Sequence, residues 1–452
     1  MFTKVLIANR GEIALRVIRT CQKMNIQTVA IYSEADADAL FVREADEAYC
    51  VGKPPVNQSY LNAEEIIAVA KKSGAEAVHP GYGLLSENAS FATRCINEGL
   101  TFIGPSPNII ASMGSKIEAR KTMKEAGVPI IEGINTSLES EDEAKLAAKE
   151  IGYPLMLKAS AGGGGIGMQL VNSEEELVKA FAGNKKRAES FFGDGAMFLE
   201  KYIAEPHHIE VQILADSHGN VVPLWERECS IQRRNQKVVE EAPSPFINEE
   251  TRNKMLEAAI KAAQHIGYTN AGTIEFLVDR EQNFYFLEMN TRLQVEHPVT
   301  EEITGLDLVE EQLKVASGAD LSFTREEVAR NGHAIEVRIY AEDPKTFFPS
   351  PGKITEFKLP EGEGIRNECA IEAGSQVTPF YDPMIGKLIA WGQTREEACS
   401  RLKQALEDYK IVGIKTNIPM LIKTVSHEQF LKGYTTTQFV NEYYLPLLTS
   451  TK

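Results

Sequence analysis

The stretch Thr273-Ile-Glu-Phe-Leu-Val-Asp-Arg-Glu-Gln-Asn-Phe-Tyr-Phe-Leu-Glu-Met-Asn290 constrains the fold of this chain more than any other. β-Branched and aromatic residues flank a polar turn at Arg280–Asn283, the pattern of a two-stranded hairpin. Folding about that turn sets Asp279 opposite Phe284, and therefore Glu275 opposite Glu288. Directly opposed residues hold their Cβ atoms ~4.5–5.5 Å apart. Two carboxylates at ~5 Å repel by roughly 3 kcal/mol at an effective dielectric near 20, so this face needs a countercharge. Asn290, two residues beyond Glu288, projects from the same face. Two carboxylates and an amide oxygen make a hard, oxygen-only set suited to Mg2+ carrying substrate phosphates. A neighbouring Arg or Lys, or a proton kept by one carboxyl, would neutralise the pair as well.

At 452 residues the chain has room for two or three domains, and 43% hydrophobic with 25% charged residues is ordinary for a globular protein. A net charge of −16 argues against nucleic acid or an anionic membrane as partner. Cys21, Cys50, Cys95, Cys229, Cys369 and Cys399 are scattered without a Cys-x-x-Cys pair, which argues against a zinc site or a disulfide framework and for a reducing, cytoplasmic setting. The N-terminal MFTKVLIANRGE returns to charge too soon for a signal peptide, and no run of eighteen apolar residues follows.

The first hundred residues alternate strand and helix patterns. Strands are expected at Lys4–Ala8, Thr28–Tyr32, Ala75–Val78 and Phe102–Pro105, with helices at Glu12–Lys23 and Ala63–Lys72. This α/β alternation predicts a doubly wound parallel sheet with ligands beyond the carboxyl ends of its strands, where Asn9–Glu12 and His79–Gly83 lie. A second region opens with a helix at Ser115-Lys116. Within it, residues 130–203 read as a semi-separate insert with strands at Tyr153–Ala159, Met168–Val171 and Met197–Tyr202 and a helix at Glu174–Lys186. A helix is expected at Glu249–His265. A last α+β section begins near His333, with strands at Ala334–Tyr340 and Leu388–Trp391 and a helix at Arg395–Tyr409.

Gly162-Gly-Gly-Gly-Ile-Gly167 satisfies the dinucleotide spacing G-x-G-x-x-G, but a strand pattern and not a helix follows it. It also lacks the Lys-Ser/Thr of a P-loop, and the kinase motifs are missing. Strand–glycines–strand reads instead as a mobile hairpin lid whose N–H groups can close on phosphate, with Lys158 on the strand leading in. An ordinary exposed turn would also favour glycine.

Beyond the hairpin, Arg292, Gln294 and Glu296 fall on the side of Glu288 and Asn290 if the chain stays extended. An Arg there can grip a small oxyanion, and a Glu beside it can take its proton. Within the segment Glu226–Glu241, two Arg and a Lys fall within five residues, which suits phosphate or carboxylate or simply makes a basic surface turn. Cys229 has no evident activating partner, and His207-His208 reads as nucleotide contact or packing and not as a metal pair.

IANRGEIALR (7–16), HPGYGLLSEN (79–88), KASAGGGG (158–165), FLEKYI (198–203), QRRNQKVVEEAP (232–243), FLEMNTRLQVEHPVTE (286–301), EVRIYAED (336–343) and YDPMIGKL (381–388) together resemble biotin carboxylase, the ATP-grasp component of acetyl-CoA carboxylase and related biotin-dependent carboxylases. The resemblance implies a Rossmann-like N-terminal domain (1–113), an ATP-grasp domain (114–330) with a mobile lid (131–203), and a C-terminal α+β domain (331–452). It implies that ATP phosphorylates bicarbonate to carboxyphosphate, and that the CO2 released carboxylates a ureido nitrogen of biotin. By position, Lys116, Lys158, Glu200, Lys201, Ile203, His208 and Gln232, with the lid glycines Gly163, Gly164 and Gly165, match nucleotide-binding residues. Glu275, Glu288 and Asn290 match ligands of two Mg2+ or Mn2+ ions. Lys237, Arg292, Gln294 and Val295 match the bicarbonate pocket, Glu296 the general base, and Arg338 the residue that stabilises the biotin enolate. No Met-Lys-Met attachment motif is present, so biotin is expected on a separate biotin carboxyl carrier protein, with a carboxyltransferase subunit as further partner, unless the chain is one piece of a longer protein. The resemblance also suggests a homodimer. Another ATP-grasp ligase would share the hairpin and lid but lack the 292–296 and 336–343 segments. A weakly active nucleotide-binding scaffold is the third reading.

Ile166 and Gln169 stand where the family commonly has Arg, and Asn235 where it often has His. Losing two lid cations weakens closure on phosphate or removes an anchor for the lid. The double substitution Ile166→Arg and Gln169→Arg is therefore expected to lower KM for ATP in steady-state assays; unchanged ATP kinetics would contradict this.

Overall fold

The N-terminal strands β1 (Lys4–Ile7), β2 (Gln27–Ser33), β3 (Glu47–Gly52), β4 (Ala77–His79) and β5 (Thr101–Phe102) form a parallel sheet in the order β3-β2-β1-β4-β5. This computed structural model describes residues 1–134, 136–161 and 167–449. Val5 and Ile7 enter one apolar cluster with the helix Gly11–Lys23, whereas Leu6 joins another with Ile66 and Phe91. Both faces of the sheet are thus covered, which is why its strands are continuously apolar. Edge strand β3 is mostly half-buried and lacks such a run, so the sequence pattern passed over it. The strand order reverses between β1 and β4, which opens a crevice at their carboxyl ends. Asn9 spans it, donating to the carbonyls of Pro80 (2.7 Å) and Tyr82 (2.8 Å). Gly81, at φ +62°, is needed there: a Cβ would lie 2.9 Å from Asn9 Nδ2.

Strands β6 (Leu155–Ala159), β7 (Gln169–Val171) and β8 (Met197–Lys201) make a small antiparallel sheet backed by the helices Glu141–Ile151 and Glu174–Phe192, with its own core around Leu155, Leu157 and Leu199. Leu155 pairs with Val171, so the segments flanking the glycine run form the two arms of a hairpin. The tip itself, including Gly163, Gly164, Gly165 and Ile166, lies outside the described residues.

The remaining framework is one eight-stranded antiparallel sheet. Along the chain its members are β9 (His207–Ala215), β10 (Val221–Arg233), β11 (Gln236–Ala242), β12 (Asn270–Val278), β13 (Phe284–Asn290) and β14 (His333–Tyr340), joined by β17 (Ile365–Cys369) and β19 (Met384–Gly392) in the order β13-β12-β9-β10-β11-β14-β19-β17. Two short ladders flank it, β15 (Gly352–Lys353) with β18 (Gln376–Val377) and β16 (Glu356–Lys358) with β20 (Lys410–Val412). Strand alternation separates two faces. Ile209, Val211, Ile274 and Phe276 pack on the helix Glu249–His265, and Ile335, Val337 and Leu388 enter a second core. The residues between them, Glu210, Glu275, Glu336, Arg338 and Lys387, put buried charge on the other face. The section beginning at His333 thereby continues the sheet that carries the carboxylate hairpin.

Two local expectations are corrected. The turn is one residue longer than its polar pattern suggests: Val278, and not Asp279, lies opposite Phe284, because Asp279 accepts bonds from Asn283 and closes a five-residue loop. A β-bulge between Phe286 and Glu288 absorbs the offset, so Glu275 still faces Glu288. The chain also does not stay extended past Asn290. It runs irregularly to Glu296 and enters a helix at His297–Thr304, where Pro298 suits the first turn. Among the described residues no helix is long and apolar enough to cross a membrane.

Candidate active site

Two adjoining cavities, about 490 Å³ and 220 Å³, meet at a wall formed by His208, Gln232, Asn235, Glu275 and Glu288. The bulge in β13 brings this wall about, since without Leu287 as an extra residue the side chain opposite Glu275 would be leucine. Asn290 Nδ2 donates to Glu275 at 2.8 Å, so the third member of the oxygen set stands beside the first.

The smaller cavity gathers Lys116, Lys158, Glu200, Lys201 and Ile203 with the apolar side chains of Ile131, Met156, Leu277 and Leu287. Ser115 caps the helix Lys116–Glu125 and so presents Lys116 at its first turn, where the ammonium binds Glu288. Glu200 is buried between Lys158 and Arg120, the latter at 2.8 Å, so its carboxylate holds Lys158 in place. Lys201 commits its ammonium to the Gly152 carbonyl at 3.0 Å. His208 bridges the wall, with Nε2 2.8 Å from Glu275 and Nδ1 2.8 Å from Gln232. His207 is packing: it stacks on Phe246 at 3.5 Å.

The larger cavity is lined by Lys237, Arg292, Gln294, Val295 and Arg338, together with Asn9–Glu12 and Tyr82 from the N-terminal crevice. Lys237 Nζ donates to Glu210 (2.5 Å), Glu275 (2.8 Å) and Glu296 (2.7 Å). Each contact is worth about 6 kcal/mol of Coulomb attraction at an effective dielectric near 20, before desolvation. That exceeds the repulsion between acids ~5 Å apart, so the cluster holds together. Arg338 reaches Glu296 at 3.0 Å and Glu240 at 2.6 Å. Arg292 is gripped by Glu87 (2.7 Å), Asn290 (2.9 Å) and Gln294 (2.7 Å), and Gln294 in turn donates to Glu275 at 3.0 Å. The residues expected in one row on an extended strand therefore meet through a loop.

Burial pushes the carboxyls of Glu275 and Glu296 upward, but adjacent groups outweigh it and hold both well below the usual range: the Lys237 ammonium and the hydrogen-bonded His208 ring for Glu275, and Lys237, Arg338 and Arg227 for Glu296. Burial lowers Lys237, and its three carboxylates reverse that, so the ammonium stays charged. Glu240, where burial prevails over Arg338, is pushed up to about 7. Burial also drives the Cys229 thiol far up, which makes it inert. Spacing does not single out Arg120, which binds Glu200, Glu210, which binds Lys237, Arg227, which binds Glu210, or Glu240, which lies within the 232–243 motif and binds Arg338. Glu87 and Lys387 lie inside quoted motifs, but their partners are distant in sequence.

The donor set fits a divalent metal. Glu275 and Glu288 offer hard oxygens at one wall, Asn290 Oδ1 lies in the adjoining larger cavity where it accepts from Arg292 at 2.9 Å, and the groups that meet the acids here (Lys116, Lys237 and His208) can turn to phosphate or bicarbonate oxygens instead.

Comparison with known proteins agrees with this arrangement. Residues 1–110 match the family profile "Biotin carboxylase, N-terminal domain", 115–324 match "Carbamoyl-phosphate synthase L chain, ATP binding domain", and 336–442 match "Biotin carboxylase C-terminal domain". Biotin carboxylase 2 of Bacillus subtilis is 64% identical over 443 residues, covering 98% of this chain and 100% of that protein. The chain belongs to the biotin carboxylase family. Biotin carboxylase of Halalkalibacterium halodurans is 65% identical, covering 98% of each chain. Among solved structures, the biotin carboxylase domain dimer of Hydrogenobacter thermophilus 2-oxoglutarate carboxylase, in complex with MgADP, ADP and bicarbonate, superposes with a TM-score of 0.96 at 51% identity over 99% of this chain and 98% of that one. The Campylobacter jejuni biotin carboxylase complex with a β,γ-ATP ligand reaches 0.96 at 47% identity over 98% and 99%. The ATP-grasp architecture expected from the sequence is the architecture of these relatives.

Substituting Lys237→Met removes the strongest of the cations that depress Glu296, and burial then raises that carboxyl. The acid limb of the pH–rate profile is expected to move to higher pH in the residual activity of the variant. An unmoved limb would contradict the electrostatic account.

Proposed function

We propose that this chain catalyses ATP-dependent carboxylation of biotin by bicarbonate, the first half-reaction of a biotin-dependent carboxylase. The observation that carries the reading is the wall of Glu275 and Glu288 between two cavities with different linings. The smaller suits ATP: its apolar side chains would flank the base, with Lys116 and Lys158 placed to meet the phosphates. Glu200, Lys201, Ile203, His208 and Gln232 complete that pocket. Two Mg2+ or Mn2+ ions held by Glu275, Glu288 and Asn290 would neutralise phosphate charge and align the γ-phosphoryl group.

Arg292 binds bicarbonate with Lys237, Gln294 and the main chain of Val295. Its fork is pre-aimed by Glu87 and Gln294, so little ordering remains to be done on binding. Glu296, ionised because Lys237 and Arg338 face it, takes the bicarbonate proton while a bicarbonate oxygen attacks the γ-phosphorus and ADP leaves. Carboxyphosphate then divides into CO2 and phosphate. Arg338 stabilises the oxygen of biotin as its ureido nitrogen gives its proton to the phosphate just released and bonds to CO2.

Biotin on a carrier protein, a carboxyltransferase partner and a homodimer follow from the family reading, and the relative from Hydrogenobacter is itself described as a dimer. The division into 1–113, 114–330 (lid 131–203) and 331–452 parallels the spans of the matching profiles. A cytoplasmic setting suits six free cysteines.

Purified protein supplied with Mg2+, ATP and bicarbonate should hydrolyse ATP in a bicarbonate-dependent manner, and free biotin should accelerate it. Glu296→Gln should lower this rate by about 10²–10⁴-fold, the usual loss for a general base. Hydrolysis indifferent to bicarbonate and biotin would refute the proposal; an amine requirement would point to another ATP-grasp ligase.

A further inference from the structure

Lys387 carries a charge where packing alone would be served by methionine or leucine. It lies on β19 with its side chain 0% exposed. Its Nζ donates to the Val295 carbonyl at 2.7 Å, and Glu12 Oε2 from the first helix lies 3.4 Å away. Burying an ammonium costs several kcal/mol, and apolar replacements of buried ion pairs are often neutral or stabilising. Stability is therefore a weak reason for this lysine.

Its direction supplies a better one. Lys387 pairs with Arg338 across β14 and β19, so the two cations rise side by side from one sheet face. Arg338 meets the Glu296 carboxylate, and Lys387 meets the carbonyl of the residue before it. Three consecutive carbonyls of this loop have donors: Gln294 receives His297 Nδ1 at 2.7 Å, Val295 receives Lys387, and Glu296 receives the Val299 N–H at 3.3 Å. The first and third donors belong to the helix His297–Thr304 that the loop itself begins; the middle donor comes from β19. The Val295 carbonyl and the Glu296 N–H share one planar peptide unit. Fixing the carbonyl fixes that N–H and the backbone from which the Glu296 carboxylate departs.

We propose that Lys387 is a positioning residue for bicarbonate: it holds the Val295–Glu296 peptide so that the 292–296 loop receives the anion and aims Glu296 at it. The inference rests on the reading of 292–296 as the bicarbonate pocket. Glu12 completes the arrangement, because its carboxylate ties the N-terminal helix to the same ammonium.

Lys387→Met keeps the apolar stem and removes the donor. Steady-state kinetics with free biotin should show KM for bicarbonate raised at least tenfold while KM for MgATP stays within twofold of wild type. A bicarbonate KM within twofold of wild type, or both KM values rising by the same factor, would overturn the proposal, the latter being the signature of a merely structural loss. If Lys387→Met does not fold, Lys387→Gln, with an uncharged donor on a shorter stem, is read by the same split with a threefold threshold. Arg292→Ala separates the two levels of inference. An unchanged bicarbonate KM in that variant defeats the pocket reading, whereas a raised one beside an unaffected Lys387→Met defeats the role of Lys387 alone.

Discussion

Lys237 is the contact on which the site depends. One largely buried ammonium binds Glu210, Glu275 and Glu296, which come from β9, β12 and the loop after β13. Three acids in so small a space would otherwise repel one another or keep protons, and either outcome ends their use as ligands or base. Arg227, itself fully buried, reinforces the arrangement by binding Glu210 at 2.6 Å together with Gln212 and Thr300. The same attractions that stabilise the cluster keep Glu275 and Glu296 ionised, so structure and chemistry draw on one set of charges.

The sheet explains how distant segments reach that point. Eight antiparallel strands bury apolar side chains on one face and charges on the other, and the charged face is roofed by the N-terminal crevice and the helix His297–Thr304. Arg338 and Lys387 enter from strands late in the chain, Glu87 and Glu12 from its beginning. The small sheet of β6–β8 brings Lys158 to the opposite side of the wall.

Much of this was legible in the sequence, for identifiable reasons. Period-2 and period-3.6 patterns located most elements, and the helix Glu249–His265 has the limits its pattern suggests. The Glu275–Glu288 pairing was legible although its stated cause was incomplete, since an error of one residue at the turn is cancelled by the bulge at Leu287. A bulge leaves no mark in an alternating apolar pattern. Strand β3 was missed because an edge strand need not be apolar, and the loop after Asn290 because extension was the simplest continuation. The supporting residues Arg120, Glu210, Glu240 and Lys387 act on partners far along the chain, which spacing cannot reveal.

Glu275 and Glu288, acids from adjacent strands, act as one ligand set between the two cavities. Titration of Mn2+ into the protein with ADP present, followed by electron paramagnetic resonance, tests this directly for wild type, Glu275→Gln and Glu288→Gln. Each substitution alone should weaken Mn2+ binding at least tenfold. Wild-type affinity in either variant would show that the opposed pair does not share the ion.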